Sequence, residues 1–206
     1  MLEWYRAHGD YSDLMKDCEG LLRYIALVNG SDGYIKYGGD TIGLSDDFAR
    51  LTVRDAFEIH TGQGVEFALK NGTFDEILVD VIEPSLPRNR PTFLTDYPPQ
   101  MAALARLKPG DTTIAERFEL YVGGLELANG FSELNDAGEQ RRRFEQANAT
   151  RVADGRPPLP LPEPFLDELD CMPPAAGIAL GIDRLVMLFT DASHIDEVIA
   201  FTPEEL

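Results

Sequence analysis

Cysteine and histidine are nearly missing from this 206-residue chain, with two of the first and three of the second. Cys18 and Cys171 have no Cys or His partner at metal-ligand spacing, which argues against a disulfide framework or zinc site and leaves both as packing residues. Basic residues are scarce as well. The 18 Lys and Arg face 36 Asp and Glu, giving a formal net charge of −18, the reverse of what a broad phosphate-binding footprint requires. The densest basic run, Arg141-Arg142-Arg143, reads as the solvated face of a helix. No apolar stretch approaches the roughly 20 residues of a membrane span. The opening MLEWYRAHGD lacks the basic and apolar regions of a signal peptide, and no internal repeat is visible. A cytoplasmic protein is the expectation. Such an acidic chain can still bind an anion, but with a few aimed side chains and not with its overall field.

What is present is the composition of an ordinary globular protein, 44% hydrophobic and 26% charged, long enough for one sizeable core. Alternation predicts a strand over 2–5, with Glu3 and Tyr5 on one face. Asp10 or Ser12 caps an amphipathic helix to about Asn29, and a brief strand follows over 34–36. Helices are expected over 52–60 and 73–82, although Ile77-Leu78-Val79 reads equally well as a buried strand. Pro84, Pro87 and Pro91 then lead into a strand over 92–95. Beyond a hairpin over 114–131, a helix with an acidic first turn runs to about Asp154, followed by a proline-rich connector over 157–164. A short helix over 165–170, a strand over 177–181 and a helix over 183–189 complete an α+β domain built on antiparallel strands.

The most informative segment is ERFELYVGGLELANGFSEL, residues 116–134. Gly123-Gly124 can take the positive φ angles of a two-residue turn, placing Val122 opposite Leu125 and Tyr121 opposite Glu126. Glu119 is then diagonal to Glu126 on one face, roughly 7 Å away. At about 6 Å and an effective dielectric near 20 the two carboxylates repel by roughly 3 kcal/mol, about two pKa units. Something must relieve that repulsion. A shared proton would, as would a divalent metal; Mg2+ bridged by carboxylates and a nucleotide's phosphates suits an oxygen-only pair. Strict alternation sends Asn129 and Glu133 to the opposite face.

The run PPAAGIALGIDRLVML over 173–188 resembles the third signature motif of the class II aminoacyl-tRNA synthetases, and the hairpin is similar to the preceding strands of their lysyl branch. PTFLTDYP over 91–98, the opening MLEWYR and the closing VIAFTPEEL agree. Within that branch the resemblance is strongest to ligases that attach (R)-β-lysine to a lysine of elongation factor P, and Ala179 stands where lysyl-tRNA synthetases carry Gly. The implied fold is the class II antiparallel sheet flanked by helices, with 1–206 the C-terminal part of the catalytic domain. The implied chemistry is ATP-dependent adenylation of lysine or β-lysine and transfer to a protein amine, with tRNA the less favoured acceptor and a homodimer as the assembly.

The resemblance also assigns roles. Arg184 would contact the γ-phosphate of ATP, a task that suits a planar, permanently charged donor. Glu119 and Glu126 would hold Mg2+, while Glu3, Tyr5, Asn129 and Glu133 would line the amino-acid pocket, with a bulge near 128–130 bringing the last two there. The Ala179 methyl would shift selectivity between α- and β-amino acids by roughly 1 to 3 kcal/mol. His8, His60 and His194 are left to surface or structural duty. The family's first two motifs, including the arginine that contacts the α-phosphate, are not found after Met1, so an N-terminally shortened chain is expected. A lysyl-tRNA synthetase-like enzyme and an inactive, ligand-binding remnant stay open beside the ligase.

Overall fold

The computed structural model describes residues 1–202, so the last four residues of the VIAFTPEEL run lie outside it. Its strands are β1 (Leu2–Ala7), β2 (Tyr34–Tyr37), β3 (Asp40–Gly43), β4 (Ala49–Thr52), β5 (Thr92–Tyr97), β6 (Leu107–Lys108), β7 (Asp111–Val122), β8 (Leu125–Ser132) and β9 (Ala175–Leu180). Seven of them form one sheet in the order β1-β9-β8-β7-β5-β4, with β6 on β7, and β2 pairs β3 separately. The sheet is mixed. Its β4–β5 pair is parallel, because five helical segments separate those two strands, while its other pairings are antiparallel as expected.

Helix α1 (Tyr11–Val28) starts where the Asp10 side chain accepts from the Ser12 and Asp13 N–H groups, while the Asp10 N–H donates to the Asp13 carboxylate. Its stripe of Leu14, Cys18, Leu22 and Ala26 is fully buried against Phe118, Leu120, Ile178 and Leu180 of the sheet. Burying one such leucine contributes about 1.5–3 kcal/mol. A second core lies against β5 and the hairpin. It is built by α2 (Val53–Thr61), capped by Thr52, by α3 (Val65–Asn71) and by α4 (Phe74–Ile77), which continues through a π turn over Leu78–Ile82 into α5 (Glu83–Ser85). Phe57, Phe74 and Ile82 pack there with Leu94, Tyr97 and Tyr121. Helical structure therefore wins over 77–79, where a strand had been equally readable.

The remaining helices are α6 (Ala137–Ala153), capped by Asp136, then α7 (Glu163–Leu169) and α8 (Ile182–Thr190). Two surface assignments change. Cys171 is exposed, not a packing residue, because it lies just past the end of α7; Cys18 is buried. Arg143 is not part of a solvated basic face: its side chain is only 9% exposed and points beneath the loop over 102–105.

Candidate active site

The hairpin turn forms as the glycine pair dictates, with Gly123 and Gly124 at φ 62° and 86° and Tyr121 opposite Glu126. One position further the register shifts. Leu120 pairs with Ala128, so Leu127 is the extra residue of a β-bulge, slightly ahead of the expected 128–130. The bulge reverses the alternation and puts Asn129 directly opposite Glu119. Across the neighbouring strands the register then runs Glu3, Ala179, Asn129, Glu119 in one transverse row. A second row runs Tyr5, Gly177, Phe131, Arg117. Cross-strand partners share a face, so backbone register alone gathers residues that are more than a hundred positions apart in sequence.

Those rows, Glu119 apart, floor a cavity of about 460 Å³, roofed by residues 101–105 and lined by Glu3, Tyr5, Asn129, Glu133 and Ala179 among others. Glu133 lies just beyond β8, where its N–H donates to the Ala175 carbonyl at 2.8 Å. Its half-buried carboxylate has no hydrogen-bond or ion-pair partner among the described residues. Burial alone pushes its pKa from the ordinary carboxylate range up to about 7. Gly177 makes the room for it. A Cβ there would collide with Glu133 Oε1 and sit 2.6 Å from the Tyr5 ring. Burial and the charges of Glu133 and Glu3 also raise the Tyr5 phenol, keeping it protonated.

The roof is held from below. Arg143 Nη1 donates to the carbonyls of Ala102, Ala103 and Ala105 at 3.1, 3.2 and 2.8 Å, and Gln140 Nε2 to Ala103 at 3.2 Å. Glu139 neutralises the buried guanidinium through Nε at 2.8 Å. Arg143→Met should therefore cost about 2 kcal/mol of stability and speed amide exchange across 102–105, read by denaturant melts and hydrogen exchange.

Beside the cavity stands a second polar cluster. Glu119 accepts from Arg117 Nη2 at 2.6 Å and Asn129 Nδ2 at 3.2 Å on Oε1, and from the Tyr97 and Tyr121 hydroxyls at 2.6 and 2.7 Å on Oε2. Arg117 also lines the cavity and lies 4.3 Å from the Tyr97 ring centroid, which makes the cavity and this cluster contiguous. Glu126 is half-buried, and its pKa is raised first by burial, then by Glu119. Arg184, in the first turn of α8, donates to the Glu126 carbonyl at 2.6 Å and lies 3.6 Å from its carboxylate. Glu83 belongs to the same group, its pKa raised by burial and coupled to both Glu119 and Arg184.

A divalent cation tests this arrangement. Glu126 fits, with two carboxylate oxygens that face only a loose ion pair. Glu119 fits once a donor withdraws, because its four lone pairs are all engaged. Among the described residues no group of three or more His, Cys, Asp or Glu has the arrangement of a complete protein cage. Two carboxylates plus substrate oxygens is the mode that Mg2+ commonly adopts.

Five expected residues thus line one cavity, and Glu119, Glu126 and Arg184 gather next to it. Sequence reasoning missed Arg117, Tyr121 and Gly177, although period-two alternation from Glu119 and Ala179 places all three on the site face. Comparison with known proteins sets this geometry in a family. The family model described as tRNA synthetases class II (D, K and N) matches residues 1–205. The chain belongs to that class II family. Among curated members, the protein named elongation factor P–(R)-beta-lysine ligase in Erwinia tasmaniensis is 38% identical over 98% of the chain and 64% of its own length. Its namesake in Haemophilus ducreyi is 39% identical over 99% of the chain and 64% of its own length. A third, from Salmonella arizonae, is 38% identical with 98% and 64% covered. The chain therefore spans a little under two thirds of these relatives.

Proposed function

We propose that this chain carries the amino-acid cavity and part of the nucleotide site of a cytoplasmic ligase that adenylates lysine or (R)-β-lysine and transfers it to a lysine of elongation factor P. The observation that carries the reading is Glu133, a half-buried carboxylate without a partner among the described residues, at the floor that Gly177 opens. An unpaired buried carboxylate is costly unless a cation meets it, so an ammonium-bearing ligand supplies what the fold omits. The names of the relatives supply the finer identity, and the net charge of −18 favours a protein acceptor over tRNA.

In this reading Glu133, Glu3 and Tyr5 receive the ammonium groups, and Asn129 and Arg117 orient the carboxylate end toward the nucleotide. The carboxylate oxygen attacks the α-phosphorus, the bond to pyrophosphate breaks, and an acceptor amine then attacks the acyl carbon and releases AMP. Arg184 stabilises the triphosphate. Mg2+, held by Glu126 and Glu119, would supply further charge neutralisation. Positioning and electrostatics carry such a displacement, and no protein nucleophile is needed.

Calorimetric titration with lysine, (R)-β-lysine and norleucine tests the reading, since norleucine keeps the length but lacks the terminal ammonium. Norleucine should bind at least about 100-fold more weakly, and equal affinity for all three would remove the proposal. Assaying this chain for acylation of elongation factor P and of tRNA separates the acceptors. Ala179→Gly should move the preference between the two lysines by about 5- to 100-fold, measured as the ratio of their dissociation constants. An unchanged ratio would leave Ala179 as floor packing.

A further inference from the structure

Tyr121 has one hydroxyl proton and two carboxylates within reach: Glu119 Oε2 at 2.7 Å and Glu83 Oε1 at 3.1 Å. It can donate to only one of them at a time. The other three donors on Glu119 are less free to leave. Tyr97 is 1% exposed and has no second acceptor among the described residues, so its withdrawal would orphan a buried hydroxyl. Arg117 would carry a mostly buried charge away from its counter-ion, and Asn129 sits on the other oxygen. Tyr121 is also the cross-strand partner of Glu126, the second carboxylate of the cluster.

Glu83 reaches this position through an irregular helix. Its backbone N–H bonds to the Leu78 carbonyl five residues back, the widened turn of a π segment, immediately before Pro84, which has no N–H to continue the regular pattern. The widening rotates Glu83 relative to a regular helix and sets its carboxylate against Tyr121. A regular helix would have aimed it elsewhere.

We propose that Tyr121 and Glu83 form a two-position switch that governs Glu119: with the hydroxyl on Glu119 that carboxylate is saturated, and with the hydroxyl on Glu83 one of its lone pairs is free for a divalent cation shared with Glu126. Glu83 is thus a positioning residue, acting through Tyr121. The inference rests on the nucleotide-and-cation reading above.

Binding of Mn2+ in the presence of ATP, followed by the electron paramagnetic resonance signal of free Mn2+, tests it without requiring turnover. Glu83→Ala should weaken Mn2+ binding about tenfold, because Tyr121 then has only Glu119 to donate to. Glu83→Gln keeps a carbonyl acceptor while losing the charge, and should bind close to wild type. Adding Tyr121→Phe should erase the difference in Mn2+ affinity between the wild-type and Glu83→Ala backgrounds. If Glu83→Gln is as weak as Glu83→Ala, Glu83 acts only through its charge and the switch is overturned; full affinity in Glu83→Ala overturns it as well. A wild-type chain that fails to bind Mn2+ with ATP would remove both the switch and the nucleotide reading. Thermal melts of each variant exclude a folding defect, and the near-isosteric glutamine and phenylalanine variants keep the comparison available.

Discussion

Replacing Glu133 with glutamine is expected to weaken lysine binding by about 100-fold or more, roughly 3 kcal/mol, while leaving the fold intact. The size follows from the site's geometry: Glu133 has no partner among the described residues, so no described group of the floor neutralises a desolvated ammonium in its place, and Glu3 lies at the exposed edge. The same carboxylate sets a pH dependence. With its pKa raised to about 7, it is increasingly protonated below neutrality and cannot pair with the ligand's cation. Lysine affinity should therefore rise about tenfold per pH unit between pH 5 and 7 and level off above, and the Glu133→Gln protein should show a flat profile. Titration calorimetry across that range reads both.

Stability should move in the opposite sense. The folded state holds the Glu133 proton more tightly than the unfolded chain, so between about pH 4.5 and 7 it binds more protons and loses stability as pH rises. Above that window the loss is complete, and below it there is none. Glu133→Gln should accordingly be more stable than wild type by about 1–2 kcal/mol at pH 8, a figure reduced for solvent screening of a partly exposed group, and equal to it near pH 4. A variant that gains stability while losing its ligand marks a residue kept for binding. Loss of both together would instead make Glu133 a structural group.

The parts of this site that were legible in the sequence are those governed by local rules. Gly123-Gly124 could take the positive φ angles of a two-residue turn, and that turn sets Tyr121 against Glu126. The need for a bulge came from the resemblance, which implied that Asn129 and Glu133 line the amino-acid pocket although simple alternation sends them to the other face. Its location at Leu127 was not legible, since either side of the small residues Ala128 and Gly130 would restore the phase. Glu83 was invisible for a different reason: its direction depends on a π turn whose hydrogen bond reaches one residue further than helical periodicity assumes. Strand β4 escaped because it is four residues long and takes its pairing from β5, across the helices of the second core. Arg143 was hidden by its neighbours. Arg141 and Arg142 do pair with surface carboxylates, and only the turn of the helix distinguishes the third arginine from them.

Gly177→Ala should abolish most of the cavity's affinity while sparing the protein. The added Cβ runs into Glu133 Oε1 and meets two carbons of the Tyr5 ring at 2.6 and 3.0 Å, closer than such atoms tolerate. Both obstacles are the movable ends of side chains, and Tyr5 is 66% exposed, so they can swing away without disturbing the backbone pairing of β9 with β1 and β8. What they leave behind is the ammonium position. A drop in lysine affinity of about 30- to 100-fold is expected, with a melting temperature within a few degrees of wild type, because the methyl displaces ligand groups and not core atoms. Gly177→Val should extend the loss without adding β-sheet strain, since valine suits a strand. Should Gly177→Ala bind lysine normally, Glu133 and Tyr5 would not be where the ligand's cation sits, and the site would have to be sought among the polar groups around Glu119, Glu126 and Arg184 instead.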